Sequence, residues 1–275
     1  MKVIVVPTDY SAVAVNAMNY AIEMAQAVNS NLMLVHVYQI PVSLSNDVYV
    51  PIIGPEELQK INDERIQELK REVEHISSGK LKVYAEARLG NVVDELEELC
   101  KSLKPLAVVM GTKGESAVER IFLGSNTLMA IRHLTSPVIV VPPGAIFKGI
   151  KKRGLACDFK MVVESIPTEL TREVVNTFHA ELEVLNVDYN SKHFKPDTPE
   201  QSLLLHTLLE DLKPKYFFIN NPVVEDGISE FAENNNIDLL VVIPKKHKLL
   251  DSLFQKSHTR QLAFHSHIPI VSVHE

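Results

Sequence analysis

Two kinds of hydrophobic run alternate along the chain. Val3–Val6, residues 32–38 (LMLVHVY), 106–110 (LAVVM) and 138–141 (VIVV) are short, rich in β-branched residues and apolar at consecutive positions. Such runs suit strands buried on both faces of a parallel sheet. Between them, residues 12–28, 56–77, 92–103 and 125–134 carry apolar residues at helical spacing, with Ser11 placed to cap the first. Residues 81–88 (LKVYAEAR) alternate as a further strand. The stretch holding Pro41, Pro51, Gly54 and Pro55 reads as a loop, and so does the glycine-containing segment 111–124. Strands alternating with helices at this spacing predict an α/β fold with a doubly wound parallel sheet.

The pattern then begins again. Segment 142–153 (PPGAIFKGIKKR) reads as a linker. A strand at 154–157 leads to Asp158-Phe159, as Val3–Val6 leads to Asp9-Tyr10. A strand at 182–187, a helix at 223–234 and a strand at 238–242 repeat their earlier counterparts. The segment Leu253–Val273 aligns without a gap with Ile121–Val141, matching Phe122 to Phe254, Ser125 to Ser257, Thr127 to Thr259, His133 to His265 and Pro137 to Pro269. This is a divergent internal duplication. It predicts two tandem domains, 1–143 and 152–275.

Composition narrows the function classes. The 275 residues, 45% hydrophobic and 23% charged, suffice for two ordinary domains with a core each. A net charge of −7 provides no basic footprint for nucleic acid. The two cysteines, Cys100 and Cys157, form no CxxC, which fits reduced thiols in a cytosolic protein. Val3–Val6 is too short for a signal-peptide core, and no run reaches the roughly 20 apolar residues that span a bilayer. The expectation is a cytoplasmic protein without a membrane partner. His247, His258, His265, His267 and His274 crowd the second half, but none has the spacing of a zinc site, so they read as surface residues. Lys245, Lys246 and Lys248 read as a solvated basic loop. The charge-rich helix 56–77 reads as an exposed one supported by Glu–Lys and Glu–Arg pairs.

In an open α/β sheet, ligands bind beyond the carboxyl ends of the strands. The first strand ends in Pro7-Thr8-Asp9 and the second near Val37. The fourth ends in Met110 and runs into Gly111-Thr112-Lys113-Gly114; nine residues later Gly124-Ser125-Asn126 opens a helix. Glycines let a backbone approach phosphate oxygens, and successive N–H groups make an anion-binding concavity. The helix start at Ser125 and Asn126 favours negative charge. Asp9 can accept hydrogen bonds from a ribose hydroxyl or an adenine edge, and Lys113 adds a positive charge beside the phosphates. Neither GxxxxGK[ST] nor GxGxxG occurs, which argues against a P-loop ATPase and a dinucleotide-binding enzyme. No HxGH or SGGxDS-like string occurs either. No general base or nucleophile is evident near the loop, so binding rather than turnover is expected.

The motif G-x2-G-x9-G-[ST] after a strand and before a helix resembles the ATP-binding motif of universal stress proteins. Pro7-Thr8-Asp9-Tyr10-Ser11 resembles that family's opening P-x-D-x-S signature, Leu34–Val37 its second strand and Pro137–Val141 its closing strand. The resemblance covers residues 1–142 well and the remainder loosely. It implies two Rossmann-like, adenine nucleotide alpha hydrolase-like domains packed as a pseudo-dimer through their last strands. It implies ATP (or AMP or ADP) with Mg²⁺ in the first domain, contacted by Pro7, Thr8, Asp9, Val37, Met110, Gly111, Lys113, Gly114, Gly124, Ser125 and Asn126. No catalytic residue and no protein metal ligand is implied. The function it implies is nucleotide sensing in a stress response, with a homodimer of chains through another surface left open. Lys113 stands where the family often has His or Arg. In the second half Ile243, Lys246 and Lys256 replace the three glycines, and only Ser257 survives. Their Cβ atoms would obstruct approach to phosphate, so the second domain is expected to lack the ATP mode. A non-catalytic interaction module with a vestigial site, and a slow ATPase, are the alternatives.

Overall fold

The computed structural model describes residues 2–45, 48–51, 53–112, 124–159, 166, 168–190, 198–243 and 267–273. In the N-terminal half, β1 (Val3–Pro7), α1 (Ala12–Ala27) and β2 (Asn31–Tyr38) are followed by a hairpin of β3 (Val42–Ser45) and β4 (Val48–Pro51). Then come α2 (Pro55–Ile76), β5 (Val83–Leu89), α3 (Val92–Leu103), β6 (Ala107–Gly111), α4 (Ser125–His133) and β7 (Val138–Val141). The C-terminal half has β8 (Lys152–Ala156), α5 (Thr168–Phe178), β9 (Glu181–Asp188), α6 (Thr198–Leu209), β10 (Lys215–Asn220), α7 (Val224–Asn234), β11 (Leu239–Val242) and β12 (Ile270–Ser272).

Ten strands form one sheet in the order β10-β9-β8-β11-β12-β7-β6-β1-β2-β5. Each half has the same internal order, β5-β2-β1-β6-β7 and β10-β9-β8-β11-β12. Within each half of this ten-stranded sheet all described pairings are parallel. The consecutive apolar residues of β1 follow from this, because helices cover both sheet faces. Ile4 and Val6 join a core with Ala21 and Ile22 of α1, while Val3 and Val5 join the opposite one with Leu96 of α3 and Ile131 of α4. Local caps fix the helices. The Ser11 hydroxyl accepts the Ala14 N–H at 3.2 Å, and Asn91 Oδ1 accepts the Val93 N–H at 3.0 Å.

The halves meet where β7 and β12 pair antiparallel, with Ile270 opposite Val140, Val271 opposite Ile139 and Ser272 opposite Val138. Ile139 and Val271 are also equivalent in the internal alignment, so a local two-fold axis passes between them. The segment expected to be a linker is instead a packed strap. Asn16 Nδ2 donates to the Pro142 carbonyl at 3.1 Å. Phe147 meets Tyr20 of α1 edge-on at 5.3 Å and Phe178 of α5 at 6.4 Å, and Ile150 is buried. The Lys151 and Lys152 N–H groups both donate to Asp238 Oδ2, at 2.7 and 3.0 Å. Gly144 (φ +75°) and Gly149 (φ +88°) adopt the left-handed backbone that these reversals require.

Two sequence readings need correction. The Pro-rich stretch expected as a loop contains the hairpin β3–β4, with Val42 opposite Pro51 and Ser45 opposite Val48. The expected linker ends earlier, because Lys152 and Arg153 begin β8. Arg153 is 0% exposed, and burial pushes its guanidinium pKa down to about 10. Its guanidinium lies 5.9 Å from the Phe178 ring centroid. Counting back from the paired turns described below, Arg153 occupies the place of Ile4.

Candidate functional site

The strand order reverses between β1 and β6, which are neighbours through Ile4–Ala107 and Val5–Val108. β1 leads outward to β2 and β5, and β6 returns on its other side. The crevice beyond their carboxyl ends is the topological switch point of this half.

A tight turn leaves β1 there. Pro7 is half-buried and Thr8 buried. The Thr8 N–H bonds the Val35 carbonyl at 2.9 Å. Tyr10 takes the left-handed conformation (φ 65°) and donates its N–H to Thr8 Oγ1 at 3.0 Å. Asp9 Oδ1 accepts the Ser11 N–H at 3.0 Å, after which Ser11 caps α1. Asp9 is exposed. Partial desolvation pushes its carboxyl pKa up, but hydrogen bonds from Ser11 and the nearby His36 outweigh this and hold it below the usual carboxylate value.

Three residues to which the sequence reading gave no role brace this turn. His36 Nδ1 lies 2.8 Å from the Thr8 carbonyl oxygen, so Nδ1 carries the proton that is donated. The Tyr10 ring packs on His36 at 4.7 Å, and the Arg65 guanidinium of α2 lies 3.8 Å from the Tyr10 ring centroid. Burial pushes the Tyr10 phenol pKa up to about 12, against the pull of Arg65. The only available signal was the polar His36 inside an otherwise apolar strand run.

Across the crevice, β6 ends at Gly111. A Cβ there would stand 2.5 Å from Val13 Cγ1 and 2.7 Å from the Val13 carbonyl oxygen. Glycine at 111 therefore lets the first turn of α1 lie against the end of β6, a packing role separate from any phosphate. Met110 is buried, and Val37 is half-buried at the end of β2. Thr112 is 1% exposed, and among the described residues its hydroxyl has no hydrogen-bond partner. Thr127 Oγ1 donates to the Gly111 carbonyl at 2.9 Å, which ties the first turn of α4 to the end of β6. Gly124 is the N-cap of α4 and makes no side-chain cap, while Ser125 and Asn126 behind it are exposed. Among the described residues the first amides of α4 have no side-chain acceptor, at the end of the helix where its dipole is positive. Lys113 and Gly114 lie outside the described residues.

The second half repeats the turn but not the chemistry. Phe159 (φ 50°) donates its N–H to Cys157 Sγ at 3.4 Å, as Tyr10 does to Thr8. The Cys157 N–H bonds the Leu185 carbonyl at 2.9 Å, as Thr8 bonds Val35. Asn186 Nδ2 donates to the Cys157 carbonyl at 2.9 Å, as His36 does to Thr8. Asp158 follows, exposed like Asp9. After β11, however, the chain continues through Ile243 where the first half has Gly111. Lys246, Lys256 and Ser257, the basic residues 245 and 248, and all the crowded histidines except the exposed His267 lie outside the described residues. Among the described residues no three His, Cys, Asp or Glu side chains group as metal ligands, and no helix is long and apolar enough to cross a membrane.

Two like-ordered, mostly parallel α/β halves in one chain define a tandem Rossmann-like protein. The chain belongs to the universal stress protein family, whose model matches residues 1–142. Over 142 residues it is 32% identical to a universal stress protein of Methanocaldococcus jannaschii, spanning 51% of this chain and 81% of that one. Over 144 residues it is 31% identical to universal stress protein G of Escherichia coli O157:H7, spanning 51% of this chain and 98% of that one. The crystal structure of a universal stress protein from Archaeoglobus fulgidus DSM 4304 superposes with a TM-score of 0.75 at 16% identity, covering 99% of this chain and 98% of its own. The shared fold therefore extends over both halves.

Proposed function

We propose that this chain binds one adenine nucleotide, ATP or its AMP or ADP relatives, at the switch point of an N-terminal domain spanning 1–143, and that it acts as a cytoplasmic nucleotide sensor in a stress response. The observation that carries the reading is the pairing, across the β1–β6 crevice, of an ionised, turn-held Asp9 with the start of α4 and the Thr112 hydroxyl, neither of which has a side-chain partner among the described residues. One side suits the hydroxyls and base edge of a nucleoside, the other its phosphates. Pro7, Thr8, Asp9 and Val37 would hold the nucleoside end. Met110, Gly111, Lys113, Gly114, Gly124, Ser125 and Asn126 would hold the phosphate end. Mg²⁺ on the phosphates would neutralise part of their charge. The degenerate domain spanning 152–275 keeps the braced turn but not the glycines, so the two halves form an intrachain pseudo-dimer with a single site. Among the described residues nothing beside Asp9 is arranged as a nucleophile–base pair.

Native mass spectrometry of the purified full chain tests this reading. One retained adenine nucleotide per chain is expected. Gly114→Val should abolish retention with the circular dichroism spectrum unchanged. Full retention in that variant would reduce the glycine loop to a plain connection.

A further inference from the structure

The two free edges of the sheet differ. β5 is guarded. Gln67 of α2 donates Nε2 to the Ala85 carbonyl at 3.2 Å, and Arg88 pairs with Glu86 at 3.0 Å and with Glu95 at 3.3 Å. Charges and covered carbonyls are the usual defence of an edge strand against pairing with another chain. β10 (KYFFIN) has neither. Its one charge, Lys215 at the strand start, is already paired with Glu181 of β9. Among the described residues no hydrogen bond reaches its outer edge, and Phe218 in its middle is 70% exposed. A row of backbone donors and acceptors without a described partner, bearing an exposed aromatic residue, calls for an extended strand as its complement.

We propose that this complement is β10 of a second copy, paired antiparallel across a two-fold axis at Phe218. Residues directly opposite in an antiparallel pair point to the same face. Centring the axis on Phe218 therefore sets it against the partner's Phe218. Phe217 then meets the partner's Ile219, and both already lie on one core face. Tyr216 meets the partner's Asn220, and Lys215 meets the partner's Asn221. Like charges never meet across the axis. The strand is thus complementary to itself, and a two-fold contact of this kind closes at the dimer. This contact is distinct from the β7–β12 pairing, which lies within one chain.

Sedimentation analysis of the full chain over a wide concentration range tests the proposal. A reversible monomer–dimer equilibrium is expected. Phe218→Lys should raise its dissociation constant about tenfold or more, as loss of a central aromatic anchor does. Leu89→Lys, at a half-exposed position on the opposite edge strand, should leave it unchanged. Amide exchange gives a second reading on the wild type, because the outer amides of β10 should gain protection as concentration rises. A wild-type chain that stays monomeric overturns the proposal. So do growth past the dimer, dissociation by Leu89→Lys in place of Phe218→Lys, and β10 protection that does not change with concentration.

Discussion

Replacing Gly111 with alanine separates the two reasons a glycine might stand at the end of β6. The new Cβ would fall 2.5 Å from Val13 Cγ1, 2.7 Å from the Val13 carbonyl oxygen and 3.1 Å from its carbonyl carbon. All three distances lie inside van der Waals contact. The Val13 side chain is half-exposed and can rotate away. Its carbonyl belongs to the first turn of α1, which Ser11 caps, and it cannot move without lifting that turn. Overpacking of this kind costs about 1–3 kcal/mol, and contact with backbone places the change toward the upper end. At about 2–4 °C per kcal/mol, the unfolding midpoint should fall by several degrees in the absence of any nucleotide. Adding Val13→Ala removes the Cγ1 contact but leaves the carbonyl, so it should rescue only part of the loss. Thermal and urea unfolding of the two single variants and the double variant measure this. A Gly111→Ala protein as stable as the wild type, or one fully rescued by Val13→Ala, would refute the packing role and leave Gly111 to the ligand alone.

Other consequences follow from the same geometry. Phe147→Ala should destabilise the chain by about 1–3 kcal/mol, less than a fully buried phenylalanine would, while Ile146→Ala, at a position 71% exposed, should change the urea midpoint little. Asp9→Asn keeps an acceptor for the Ser11 N–H, so it should preserve the fold while weakening nucleotide binding in a calorimetric titration. Because folding lowers the Asp9 pKa, its small stabilising contribution is present above the usual carboxylate value of about 3.9 and is lost as pH falls through the lower folded value. The Asp9→Asn protein should lack that acid limb in stability measured against pH. A fragment of residues 1–146 loses β12 and exposes the edge of β7, so it should dimerise or aggregate; a stable monomer at every concentration would show that the seam is dispensable.

Most of the fold was legible because both faces of the sheet are covered. Burial on both sides turns a strand into an unbroken apolar run, and VIVV at 138–141 coincides with β7. The duplication was legible from an ungapped match that includes the exposed Ser125 and His133 as well as the buried Thr127 and Pro137. Where burial and polarity part company, the pattern misled. Arg153 reads as linker charge, yet it lies in the core. The hairpin at Val42–Pro51 lies among prolines that resemble loop punctuation. The strap was hidden because glycines and lysines mark a linker by composition, whereas Phe147 and Ile150 determine its packing. At the candidate site, the residues proposed to face a ligand come from motif spacing. The braces do not, because His36, Tyr10 and Arg65 come together only through β2, the turn and α2.

Isothermal titration of ATP into the full chain tests the central claim most directly. The account predicts saturable binding at one site per chain, lost in Gly114→Val and weakened in Asp9→Asn. Two equivalent sites per chain would contradict the functional asymmetry of the halves, and no binding at all would contradict the nucleotide reading.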